Sequence, residues 1–234
     1  MAKKIACFIA NPSFGKSDKD DELAVEQLDQ IINVCIENKC KDIVICGGMY
    51  SFSRKNGNNI KYVTNEIDKV SRILPRNLGI NYKILSGGDE LFVLRRDLID
   101  MNKELSKNRE DVEHLGFDRT VYQGTLLKCT YGKQNNLGFN EGEFLQYKEH
   151  VYDPSIRLNG IIKDYDGDLV LIGGRNRFEE FIYNNKLVIA LPSVMNPTCS
   201  SMSPDLGYII IERGCNSFNV KQHVRILNKK PEFK

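Results

Sequence analysis

The chain has 234 residues, of which 41% are hydrophobic and 27% charged, and its formal net charge is +2. This composition supports a buried core and excludes a disordered chain. It also lacks the strong basic excess of a typical nucleic-acid-binding protein. No apolar run approaches the roughly 20 residues of a membrane-spanning helix. We therefore expect a single domain over residues 1–234 that works in the cytoplasm and has no membrane segment.

The first half of the chain alternates between strand and helix patterns. Buried strands are predicted at residues 4–10, 42–48 and 81–88. Helices are predicted at residues 20–39, 60–74 and 89–106, where apolar residues recur every three or four positions. Strands that alternate with helices in this way favour a parallel sheet with right-handed crossovers.

The second half of the chain is rich in strands and poor in helices. Its pattern predicts a hairpin or two short strands at residues 119–132 and further strands at 168–174, 186–193, 206–214 and 218–227. Polar loops are predicted at residues 51–59 and 133–160. The whole pattern predicts an α/β fold in which a two-layer β-sheet sandwich is flanked by helices. Its amino-terminal half is βαβαβ, and its carboxy-terminal half is strand-rich.

Similar short loops follow five of the predicted strands, and three of them begin with a glycine pair. They read NPSFG (residues 11–15), GGMYS (47–51), GGDE (87–90), YG (131–132) and GGRNR (173–177). A glycine pair can simply end a strand tightly and allow close backbone approach. Three pairs at successive strand ends favour the remains of a binding site, because ligands gather beyond the carboxyl ends of strands in open α/β sheets.

The order and spacing of these loops resemble the calcineurin-like metallophosphoesterase family. In that family the strand ends carry D-x-H-x-G, G-D-x-x-D, G-N-H-[DE], H-[GH] and G-H-x-H in sequence. The resemblance covers nearly the whole chain and implies a metallophosphoesterase-like fold. It also implies, for active members, a site in which two metal ions promote the hydrolysis of phosphate esters.

In the first two loops this chain departs from the family pattern at every metal-ligand position. Asn11 stands in place of the aspartate and Ser13 in place of the histidine of the first motif. In the second motif, Gly48 replaces the aspartate that bridges the metals, and Ser51 replaces the later aspartate. The resemblance therefore marks these four residues as a vestigial site.

The third and fourth loops keep some polar groups. Gly88 replaces the asparagine ligand, and Asp89 replaces the histidine that protonates the leaving group. Glu90 keeps the carboxylate that follows. Tyr131 stands where the fourth motif has its histidine. The resemblance thus leaves Asp89, Glu90 and Tyr131 as the candidate catalytic residues of an active enzyme.

In the fifth loop Gly174 and Asn176 replace the two histidines, and Arg175 and Arg177 flank the asparagine. A two-metal centre needs a bridging carboxylate to hold its cations about 3.5–4 Å apart, which a glycine at position 48 cannot supply. We therefore expect no catalytic residue and no metal cofactor. The favoured interpretation is an inactive metallophosphoesterase-fold protein that binds a protein partner, as a scaffold subunit of a macromolecular complex.

Two other function classes stay open. One is an active phosphatase, phosphodiesterase or nuclease that holds a divalent metal such as manganese or iron through Asn11, Asp89 and Asn176. The other is a metal-free phosphate or nucleic-acid binder in which Arg175 and Arg177 replace the cations. The Lys- and Asn-rich composition without tryptophan indicates a bacterial or phage origin.

Overall fold

The computed structural model describes residues 3–51, 60–117, 119–129, 162–174, 178–195, 205–213 and 218–223. Within these ranges the helices and strands are, in chain order, β1 (Lys3–Ile9), α1 (Asp18–Glu37), β2 (Asp42–Cys46), α2 (Ile60–Ile73), β3 (Asn81–Ser86), α3 (Gly88–Asp97), α4 (Met101–Asn108), β4 (Val112–Phe117), β5 (Arg119–Tyr122), β6 (Thr125–Cys129), β7 (Leu169–Gly173), β8 (Glu179–Tyr183), β9 (Lys186–Ala190), β10 (Tyr208–Arg213) and β11 (Phe218–His223).

The strands form two sheets. The first has the order β11-β10-β1-β2-β3-β4, and the second has the order β5-β6-β7-β9-β8. In the first sheet β1 to β4 are parallel, while β10 runs antiparallel to β1 and β11. In the second sheet β6, β7 and β9 are parallel, and both edge strands are antiparallel to their neighbours. The carboxyl ends of the parallel strands of each sheet therefore lie at one edge of that sheet.

Alternating side chains divide the core into layers. Phe8 and Val44 point toward the second sheet and pack there with Leu171 and Ile189. Their chain neighbours point to the other face of the first sheet, where they pack against apolar residues of α1, α2 and α4. This two-residue period is the normal consequence of strand geometry. The predicted α/β fold, with two sheets and flanking helices, is confirmed.

The structure differs from the predicted elements in one helix and two strands. The helix predicted at residues 89–106 is two helices, because Leu98 adopts a left-handed conformation (φ 59°) that ends α3. Asp100 then caps α4 by accepting a hydrogen bond from the Lys103 amide. The strands β4 and β8 were not predicted. Both are edge strands of mixed burial, so they lack the buried apolar run that marks a central strand.

The predicted loop at residues 51–59 lies outside the described residues except for Ser51, and the predicted loop at 133–160 lies wholly outside them. Among the helices that the structure describes, none combines the length and hydropathy needed to cross a bilayer.

The two sheets approach each other closely at the ends of β2 and β7. A Cβ atom on Gly173 would overlap the carbonyl oxygen of Cys46 and lie 2.8 Å from its carbonyl carbon. A Cβ atom on Gly47 would lie 2.6 Å from the sulfur of Cys129, which pairs with Gly173 in the second sheet. Glycine is required at both positions for lack of space, since Gly173 meets the backbone of Cys46 and Gly47 meets the side chain of Cys129.

We expect Gly173→Ala to lower the free energy of unfolding by more than about 3 kcal/mol, because the new methyl group meets rigid backbone rather than a flexible side chain. Gly79→Ala is the matched control: Gly79 has a positive φ of 117° but open space around it. It should cost only backbone strain, about 1–3 kcal/mol, with no steric overlap. Urea unfolding of both variants measures the difference, and equal losses would show that the sheet contact is not tight.

Candidate functional site

The structure brings the first three strand-end loops together at one edge of the first sheet. The amide of Asn11 donates to the carbonyl of Gly47 at 3.0 Å, and the amide of Ser13 donates to the carbonyl of Gly48 at 2.9 Å. Gly87 packs against the same glycine pair. The edge is therefore built from backbone groups that bond to each other, and the loops hold a fixed relative position.

The first loop has an unusual backbone. Asn11 and Ser13 both have positive φ angles, 53° and 62°, a conformation that is uncommon for residues other than glycine and is often found at functional sites. The Asn11 side chain is buried, and its Nδ2 donates to the Oγ of Ser193 at 3.0 Å. Ser193 follows β9 and forms an isolated parallel bridge with Ala10. The sequence gives no signal for Ser193, because its role depends on a contact across 182 positions.

The Asn11 side chain fills the space beside Gly48. A Cβ atom on Gly48 would overlap Oδ1 of Asn11 and lie 3.0 Å from its Cγ. Gly48 also has a positive φ of 67°, which adds strain for any other residue. In the family that the loops resemble, the corresponding position carries the bridging aspartate. Here the neutral carboxamide of Asn11 fills the space that a side chain at position 48 would need.

Each carboxylate oxygen of Glu90 accepts a hydrogen bond from a backbone amide. Oε2 accepts from the Gly87 amide at 3.0 Å, and Oε1 accepts from the Tyr50 amide at 3.1 Å. Glu90 thus caps the start of α3 and ties it to the loop after β2. Burial raises the pKa of the Glu90 carboxyl to about 7, with a further contribution from Asp89, while the backbone donors act in the opposite direction.

The other residues predicted at the site differ in position and burial. Gly88 is the first residue of α3, and Asp89 beside it is exposed. The amide of Ser51 donates to the carbonyl of Phe14 at 2.8 Å. Gly174 is half-buried with a φ of 91°. Four predicted site residues lie outside the described residues: Tyr131, Arg175, Asn176 and Arg177.

The described residues do not fit a two-metal centre. Gly48 offers no donor atom, and both oxygens of Glu90 are engaged by backbone amides. The side-chain amide of Asn11 donates a hydrogen bond to Ser193. In the part of the chain that the structure describes, no three His, Cys, Asp or Glu side chains are arranged to hold a metal ion.

A second polar cluster, missed from the sequence, lies under α4. His114 Nε2 is 3.0 Å from Ser86 Oγ, and His114 Nδ1 is 3.6 Å from Asp100 Oδ2. These contacts resemble a Ser-His-Asp triad. However, Nε2 is also 3.0 Å from the carbonyl oxygen of Gly116, so it carries a proton and cannot act as a base for Ser86. Because Ser86 is also fully buried, we assign the cluster to anchoring α4, through Asn102, which donates to Ser86.

Solved structures similar to this chain include an archaeal phosphodiesterase, at 12% identity and a TM-score of 0.43, over 94% of this chain and 98% of that chain. Vps29 of Chaetomium thermophilum matches at 13% identity and a TM-score of 0.48, over 92% of this chain and 82% of that chain. Vps29 of Entamoeba histolytica, complexed with Zn²⁺, matches at 11% identity and a TM-score of 0.46, over 94% and 90%. No protein-family model and no curated protein sequence matches the chain.

The buried Glu90 predicts a pH dependence of stability. Its pKa is about 7 in the folded protein, above the ordinary value of 4.5, so between these values the folded protein holds a proton that the unfolded chain releases. The free energy of unfolding should therefore fall as pH rises from 4.5 to 7, by at most about 3 kcal/mol from this group. Urea unfolding across this range measures the slope.

In Glu90→Gln this part of the slope should disappear, because the side chain no longer titrates. The exposed Glu26 of α1 provides the control, and Glu26→Gln should keep the wild-type slope. An unchanged slope in Glu90→Gln would contradict the assignment of the titration to Glu90.

Proposed function

We propose that this chain is a metal-free, non-catalytic protein on a metallophosphoesterase-like fold, and that it serves as a binding or scaffold subunit of a protein complex. The observation that carries the proposal is the Asn11 carboxamide, which occupies the space of a side chain at position 48. A bridging carboxylate at that position is what balances the charge of two adjacent cations. A neutral amide that is hydrogen-bonded to Ser193 does not replace it.

The alternative of an active phosphoesterase has less support. It needs Asp89 and Glu90 as acid, base or ligands, yet Glu90 is fully buried and accepts two backbone hydrogen bonds. Asp89 is exposed, whereas the Asn11 side chain is buried. Glu90 is engaged by the backbone, so a metal ion at this edge would have to bind without it.

The dense bonding of the strand-end loops suits a binding role. Four backbone hydrogen bonds, among them the bond from the Ser51 amide to the Phe14 carbonyl, fix the first loop to the second. Tyr62 of α2 also donates to the carbonyl of Gly15. A rigid edge of this kind presents its surface to a partner without a large loss of conformational entropy.

We expect purified protein to contain substoichiometric manganese, iron, zinc and nickel even after expression in metal-supplemented medium. It should hydrolyse neither p-nitrophenyl phosphate nor bis(p-nitrophenyl) phosphate above background, because no described group can bridge two metals. Elemental analysis measures the metal content, and chromogenic assays measure hydrolysis. An active metallophosphoesterase that is loaded with metal and assayed in parallel serves as the positive control. Stoichiometric metal together with metal-dependent turnover would overturn the proposed function.

An acidic residue introduced at position 48 should not create a metal site, because its side chain has no room. Gly48→Asp should bind no metal and should lose about 3 kcal/mol or more of unfolding free energy, through backbone strain and overlap with Asn11. The double variant Asn11→Gly/Gly48→Asp removes the overlap and should recover at least about 1 kcal/mol relative to additivity. Additive losses in this double-mutant cycle would show that Asn11 does not fill the space.

A further inference from the structure

We draw no further inference here: the strongest candidate, the exposed apolar face of α3 around Phe92 and Leu98, carries no proposal because nothing in the part of the chain that the structure describes shows what covers it.

Discussion

The contact between backbones at the ends of β2 and β7 is the constraint on which the rest of the structure depends. Gly173 lies against the Cys46 carbonyl, and Gly47 lies against the side chain of Cys129, so the two sheets approach most closely at this point. This contact fixes where the strand-end loops emerge. The first loop can then bond to the second, and the Asn11 carboxamide comes to lie beside Gly48. The geometry of the site is thus a consequence of sheet packing.

The main elements of the fold could be predicted because they depend on local periodicity. Apolar residues of α1 and α2 recur with the helical period, and the central strands are continuous apolar runs. The edge strands β4 and β8 could not be predicted, since half-exposed strands lack such runs. The break between α3 and α4 was also missed, because it depends on the left-handed conformation of Leu98, a residue that seldom signals a helix end.

The residue types at the candidate site could be read from the sequence, but their contacts could not. That positions 11, 48 and 88 stand where the resembled family has metal ligands stays a prediction, because it depends on the resemblance of the loops. The sequence cannot identify Ser193 as the partner of Asn11, nor the cluster of Ser86, His114 and Asp100, since these contacts join distant segments. The glycines of the strand-end pairs have two different structural roles. Gly173 and Gly47 serve sheet packing, while Gly48 also leaves room for Asn11.

The contact between Asn11 and Gly48 makes the two positions depend on each other in evolution. An acidic residue that arises first at position 48 meets an occupied space, and a change that arises first at position 11 removes the hydrogen bond to Ser193. Either order of substitution passes through a less stable protein, and selection removes variants that fall below a stability threshold. We therefore expect an acidic residue at position 48 to be tolerated only together with a second change at position 11.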